Sequence, residues 1–392
     1  MKILITTDLY TVKTNGVVTS LQNLFDEMKR RGHDVKILTI SDNKKSKKDE
    51  INNVYYIGSS SMEWVYPGIR APRSYRGRLI KEIIEWKPDV IHSQCEFFSY
   101  FFALRISRKT GAKIVHTYHT MYEDYATYVI KFSKKLAVYG AKKFSQNRLK
   151  RSAWVIAPTQ KVSDLLNRYK IKLPISVIPT GISLDQHKQR LTKEERDKKR
   201  AELGFSESDV VMMTLGRLGY EKNVDELINY LYKAKKHAKN LKFLIVGDGP
   251  ARDELLALRE SLKLSEEIVF TGKVPPTEVQ SYYQLGDLFV SASTSETQGL
   301  TYIEAAANAL PLLCRDDPCL DNVIERGVNG YAYTTEDEFL THLEAIANDG
   351  QWRISASQSS EEISKKFDKR VFGDSVEEIY NQLINQTKKA TN

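Results

Sequence analysis

Ser293-Thr-Ser-Glu-Thr-Gln-Gly-Leu-Thr-Tyr-Ile-Glu304 is the stretch whose reading decides the fold. Before it comes Asp287-Leu-Phe-Val-Ser-Ala292, a short apolar run that reads as a buried strand. After it, Ala305-Ala-Ala-Asn-Ala309 continues a helix. Glu296 is thereby placed in the loop at the carboxyl end of a strand, and Glu304 in the first turns of the helix that follows. In an open α/β sheet that edge is where ligands sit. Amides at the helix start, from Gly299, Leu300 and Thr301, are suited to an anionic group. Two glutamates eight residues apart also fit a surface loop with a helix cap, so the neighbouring segments decide between the readings.

Outward from this point the pattern repeats. Val210–Leu215, Lys242–Val246, Glu267–Thr271 and Leu310–Cys314 read as further strands, with helical stretches between them. Asn223 and Glu226 form a candidate capping box for the helix starting at Val224, and Leu191–Leu203 reads as a charged helix. Toward the amino end a second series begins with the strand Lys2–Thr7. It continues with a helix over Thr19–Arg31 that carries Leu21, Leu24, Phe25 and Met28 on one face, and with the strand Asp34–Ile40. Ser41–Glu50 reads as a solvated loop, and strands follow at Val54–Ile57, Asp89–His92, Lys113–Thr117, Trp154–Ala157 and Ser176–Ile178. A chain of 392 residues exceeds one ordinary core. The expectation is α/β: two Rossmann-like, doubly wound domains over 1–178 and 179–370 with a cleft between them, residues 371–392 packing back on the first.

Composition bounds the class. With 41% hydrophobic and 28% charged residues the chain reads as soluble and globular, and no apolar run approaches the ~20 residues of a membrane span. Met1-Lys-Ile-Leu-Ile-Thr6 opens into a strand without a signal-peptide pattern. Cys95, Cys314 and Cys319 have no metal-ligand spacing and cannot all pair, which fits a reducing cytoplasm; they read as packing residues, with a Cys314–Cys319 disulfide as the alternative. Charge is divided unevenly. Residues 1–178 hold 32 Lys and Arg against 15 Asp and Glu, a net of +17, while 179–392 hold 27 against 35, a net of −8. One half thus suits a polyanionic partner.

Four strand-end loops carry candidate chemistry. Thr7-Asp-Leu-Tyr-Thr-Val-Lys-Thr-Asn-Gly16 ends on a glycine that either lets the backbone approach an anion or closes an Asn-Gly turn. Gly216-Arg-Leu-Gly-Tyr-Glu-Lys222 offers a guanidinium fork at Arg217 and a point charge at Lys222, a pairing suited to phosphates. Gly247-Asp-Gly-Pro250 is a tight turn without a full dinucleotide fingerprint. Val115-His-Thr-Tyr-His-Thr-Met-Tyr-Glu-Asp-Tyr125 sets His116 and His119 among tyrosines after a strand, as proton acceptors, hydrogen-bonding groups or satisfied structural histidines.

Arg217 with Lys222, Gly247-Asp-Gly-Pro250 and Glu296 followed by Glu304 together resemble the retaining glycosyltransferases of family 4, which have the GT-B fold of two facing Rossmann-like domains. Pro88-Asp-Val-Ile-His92, Pro179-Thr-Gly-Ile182 and Gly327-Val-Asn-Gly330 extend the likeness along nearly the whole chain. Within the family, Asn15-Gly16-Val17, His116–Tyr125 and Pro179-Thr-Gly181 resemble the bacterial diacylglycerol glucosyltransferases and related glycolipid synthases. The resemblance implies that Arg217 and Lys222 neutralise the leaving diphosphate of a UDP sugar, with Gly16, Gly247, Gly299, Leu300 and Thr301 at the donor. Glu296 would contact the transferred sugar, and Glu304 the ribose. His119 matches the family's catalytic histidine, as a base or as a positioning group. It also implies no cofactor and no metal for the transfer. Gln94 departs from the pattern, standing where many members have a second histidine, and Asn308-Ala309 replaces a small Ser/Gly pair.

The acceptor side follows from the same likeness together with the basic half. Residues 131–151 contain eight basic and no acidic side chains, among them Lys131, Lys134, Lys135, Lys142 and Lys143, with Phe132, Leu136, Tyr139 and Phe144 interleaved. Such a helix either lies on an anionic membrane surface or packs its apolar residues inward with solvated lysines. Trp64, in Ser61–Arg73, and Tyr122 are further acceptor or membrane candidates. The expected enzyme moves glucose or galactose from a UDP sugar to diacylglycerol or a glycosyl-diacylglycerol, peripherally on the cytoplasmic side of the cell membrane. A soluble acceptor is the alternative. Nucleic acid is not an expected partner, since no recognised binding motif accompanies the basic residues.

Overall fold

The computed structural model describes residues 1–10, 16–62, 70–123, 134–236, 238 and 240–391. Two compact units make up the chain, one of Met1–Gly181 with Lys369–Asn392 and the other of Ile182–Asp368.

Among the described residues, ten strands belong to the first unit: β1 (Lys2–Thr7), β2 (Asp34–Ile40), β3 (Lys47–Asp49), β4 (Val54–Ile57), β5 (Ser59–Ser61), β6 (Arg70–Pro72), β7 (Val90–Ser93), β8 (Lys113–Thr117), β9 (Trp154–Ala157) and β10 (Ile175–Val177). Eight form one sheet in the order β10-β9-β8-β7-β1-β2-β4-β3, and β5 and β6 form a separate pair. All neighbours in the large sheet are parallel except β3, which runs antiparallel to β4. Ile3, Leu4 and Ile5 are wholly buried, as strands covered on both faces must be. Leu21, Leu24, Phe25 and Met28 of the helix Gly16–Arg30 pack with Ile3 and Ile5. Ile80, Ile83, Phe102 and Ile106 cover Leu4, Ile91 and Ile114 on the other face. The helix Lys369–Thr391 completes the first layer with Phe372, Val376, Ile379, Tyr380 and Leu383.

The second unit has one fully parallel sheet, β13-β12-β11-β14-β15-β16, built from β11 (Val210–Leu215), β12 (Leu241–Val246), β13 (Ile268–Gly272), β14 (Leu288–Ser291), β15 (Leu312–Arg315) and β16 (Gly330–Tyr333). Apolar layers lie on both of its sides. Among the described residues no helix is long and apolar enough to cross a membrane, and the three cysteines are buried and free.

Two local expectations are corrected, and one strand is added. The solvated loop Ser41–Glu50 contains β3, because Lys47, Lys48 and Asp49 pair with Tyr56, Tyr55 and Val54. Asn223 does not build a capping box: it is left-handed with φ 49°, and its side chain donates to Ala292 O at 3.1 Å. Glu226 instead pairs with Arg315 and accepts from Tyr230. Gly330–Tyr333, of which only Gly330 was quoted above as the end of a motif, forms the edge strand β16 beside β15.

Candidate active site

In the second unit, β11 lies between β12 and β14, so the strand order reverses beside it. Loops leaving the two sides of such a switch point open around a ligand site. The loop after β11 supplies Arg217 and, on a single 3-10 turn Tyr220–Lys222, Lys222. From the end of β14 comes Glu296. The structure brings Lys222 and Glu296 into direct contact, Nζ donating to Oε1. Arg217 is more than half exposed and pairs with Glu221 one turn on.

Two glycines make the loops fit. At Gly247, φ is 137°, and a Cβ there would stand 1.9 Å from Gly216 O. Residues 216–218 and 247–251 can therefore interlock through Gly216 N to Val246 O (2.9 Å), Leu218 N to Asp248 O (3.0 Å) and Ala251 N to Leu218 O (3.0 Å). Gly299, with φ 72°, begins the helix Leu300–Ala307, and a Cβ there would strike the Tyr302 ring. No side chain caps that helix, which leaves its first amides, at Leu300 and Thr301, suited to an anion. Glu304 lies one turn further along. Its Oε2 accepts from Tyr283 OH at 2.9 Å, and withdrawal from water raises its carboxyl to about 7 despite that bond.

The first unit has its own switch point, since β1 lies between β7 and β2. Gly16, placed by the sequence on a phosphate loop, is the first residue of the helix Gly16–Arg30; residues 11–15 of that loop lie outside the described set. His119 follows β8, and its Nε2 stands 2.6 Å from Gln94 Oε1, in the loop after β7. Burial and the neighbouring His116 push its imidazole down to about 3, so it is uncharged at neutral pH. His116 is deeper, with Nε2 3.1 Å from Glu96 Oε1 and Nδ1 without a partner. The other oxygen of Glu96 accepts from Tyr122 OH at 2.5 Å. Asp8, after β1, accepts from Ser99 N and Oγ at 2.8 and 3.0 Å; loss of water around it raises its carboxyl to about 6.

Gln94, Glu96 and Asp8 are the residues that sequence reasoning passed over as site members. Each leaves the carboxyl end of β7 or β1, so the strand-end rule that selected His119 also reaches them.

Of the acceptor candidates, Trp64 and Lys131 lie outside the described residues, and of Lys134 only the backbone is described. Tyr122 is turned toward Glu96 and packs edge-on against Phe97 and Phe144. The helix Lys134–Leu149 buries Ala137, Ala141, Ser145 and Leu149. Two of its large apolar residues behave differently: Leu136 is 59% and Tyr139 57% exposed. Lys135 and Lys143 are exposed beside them, Lys143 lies over the Tyr139 ring, and Lys142 is half-buried. The alternative of inward-packed apolar residues is thus corrected for Leu136 and Tyr139, because Ala137, Ala141, Ser145 and Leu149 already form the buried face.

Residues 14–186 match the description Glycosyltransferase Family 4, and residues 195–367 match Glycosyl transferases group 1. An alpha-monoglucosyldiacylglycerol synthase of Acholeplasma laidlawii is 32% identical over 402 residues, covering 100% of both chains. One of Streptococcus pneumoniae is 32% identical over 383 residues, covering 95% of this chain and 84% of its own length. The chain belongs to glycosyltransferase family 4. Its fold agrees with solved members of the GT-B class. Anabaena Alr3699/HepE in complex with UDP-glucose superposes with a TM-score of 0.75 at 16% identity, over 97% of this chain and 100% of that one. Sucrose-phosphate synthase from Thermosynechococcus elongatus does so at 0.78 and 16%, over 98% and 99%. In this family 4 enzyme, Lys222 and Glu296 meet at the strand ends of the second unit, where the helix that starts at Leu300 and carries Glu304 also begins. The histidine cluster lies at the ends of β7 and β8 in the first unit.

Proposed function

We propose that the enzyme transfers glucose or galactose from its UDP sugar to diacylglycerol or a glycosyl-diacylglycerol, with retention at the anomeric carbon. The observation that carries this reading is the Lys222–Glu296 pair at the switch point of the second unit. A nucleotide diphosphate draws the ammonium to its oxygens as charge develops on the leaving group. The same exchange releases the Glu296 carboxylate to accept from sugar hydroxyls. Arg217 adds a second cation, the amides at Gly299, Leu300 and Thr301 a third source of positive potential, and Glu304 binds the ribose hydroxyls. With these groups stabilising the leaving phosphate, transfer proceeds without a metal.

The lipid acceptor draws support from full-length likeness to two alpha-monoglucosyldiacylglycerol synthases. It also draws support from the helix Lys134–Leu149, which presents Leu136 and Tyr139 among lysines on the strongly basic unit. An exposed apolar pair ringed by cations is the composition of a surface that rests on anionic lipid. The enzyme we propose works peripherally on the cytoplasmic face of the cell membrane. The test is to incubate the purified chain with UDP-glucose or UDP-galactose and diacylglycerol in phosphatidylglycerol vesicles, with EDTA, and to read the anomeric proton of the product. An α-glycosyl-diacylglycerol is expected. A β product, or a requirement for divalent cation, would overturn the corresponding part of the reading.

A further inference from the structure

The loop after β7 places two hydrogen-bonding side chains, two residues apart, against His116 at the end of β8 and His119 in the loop that follows it. Glu96, an anion, takes His116, and Gln94, a neutral amide, takes His119. Gln94 Oε1 is an acceptor only, so the 2.6 Å contact requires that His119 carry its proton on Nε2. Gln94 is itself 2% exposed, and its oxygen is therefore held in place by packing. Among the described residues, no hydrogen-bond partner is found for His119 Nδ1.

We propose that Gln94 is a positioning residue for transfer: it locks His119 in the Nε2–H tautomer and leaves Nδ1 as a fixed lone pair for a substrate hydroxyl. This rests on the reading of His119 as a site residue of the glycosyltransferase. A base oriented by a carboxylate gains both direction and basicity. A base oriented by an amide gains direction alone. His119 then works as a hydrogen-bond acceptor that aligns the hydroxyl, while the leaving phosphate takes the proton. The choice of partner matters because the surroundings already disfavour an imidazolium: the other ionisable groups around the ring are His116, from the end of β8, and His92, from β7. The carboxylate of the same loop, Glu96, is engaged by His116 and Tyr122. Placing the anion two residues away, on His116, keeps His119 uncharged across the physiological range.

The test uses the full chain labelled with 15N at histidine, with His119→Asn to assign the signal, alongside transfer kinetics. In the wild type the His119 ring is expected to show a protonated Nε2 and a bare Nδ1 from about pH 6 to 8. Gln94→Leu is expected to give a mixture of tautomers and to lower kcat roughly ten- to a hundredfold, the range found when outer-shell partners of histidine are removed. Its KM for the UDP sugar should not change. Gln94→Glu is expected to keep the tautomer while introducing a loss of kcat below about pH 7 that the wild type lacks, since a carboxylate beside the ring favours the imidazolium. Thermal unfolding of both variants separates these effects from misfolding. An unchanged tautomer in Gln94→Leu, or a wild-type pH profile in Gln94→Glu, overturns the assignment. Should the tautomer shift as expected while no lipid product forms, the acceptor reading fails and the role of Gln94 stands.

Discussion

Glu304, which we propose binds the ribose, should couple binding to pH. Its carboxyl is raised from the ordinary 4.5 to about 7 by loss of water, although Tyr283 donates to it. The folded state therefore holds a proton that the unfolded chain releases, and stability falls as pH rises from the unfolded value through about 7. Removing the charge with Glu304→Gln should relieve this cost at pH 8 and do little at pH 5. The expected difference between the two pH values is on the order of 2 kcal/mol, read by urea unfolding. Binding has the opposite sign. An ionised carboxylate makes the stronger bond to ribose hydroxyls, so UDP affinity in the wild type should drop below pH 7 and stay flat in the variant. A flat wild-type titration would remove Glu304 from the ribose site. Glu304 and Glu296 were legible in the sequence because their spacing straddles a strand end and a helix start. The contact between Lys222 and Glu296 was not, since 74 residues separate them and only the order of β11 and β14 in the sheet joins them.

At the level of elements, most strand positions in both sheets followed from apolar runs and their period, but the edge strands β3 and β16 did not. What failed was local. Lys47–Asp49 has a polar composition that argues against a strand, and only pairing with β4 makes it one. Asn223 and Glu226 satisfy a capping pattern, yet the backbone at Asn223 is left-handed and the side chains serve other partners. The helix Lys134–Leu149 is the informative case, because its periodicity is weak and exposure alone tells which residues face outward. Lys135, Lys142 and Lys143 replaced together by Glu should weaken partition onto anionic vesicles by about 1 kcal/mol per lost cation. Thermal stability should be unaffected. Sedimentation with phosphatidylglycerol vesicles at two salt concentrations checks this, and binding that ignores both the substitutions and the salt would place the lipid contact elsewhere.

For the whole molecule, the helix Lys369–Thr391 makes the first unit discontinuous in sequence. Phe372, Val376, Ile379, Tyr380 and Leu383 are buried in its core, and Tyr380 OH lies 2.6 Å from His92 Nδ1. Burial of each such side chain contributes about 1.5–3 kcal/mol, so together they rival the ~5–15 kcal/mol that holds a domain folded. A chain ending at Asp368 should therefore lose the cooperative unfolding of the first unit while the second still unfolds as one transition, as read by calorimetry. The uneven charge, +17 over residues 1–178 against −8 over the rest, was visible in the sequence, and under the proposed function it is the first unit that meets anionic lipid.

The most direct test of lipid glycosyl transfer is UDP release from UDP-glucose and UDP-galactose, with and without anionic vesicles containing diacylglycerol. Vesicle-dependent release, reduced roughly a hundredfold or more by Lys222→Ala and by Glu296→Ala, is the predicted result. Release of equal rate with and without lipid, or release that survives both substitutions, would contradict it.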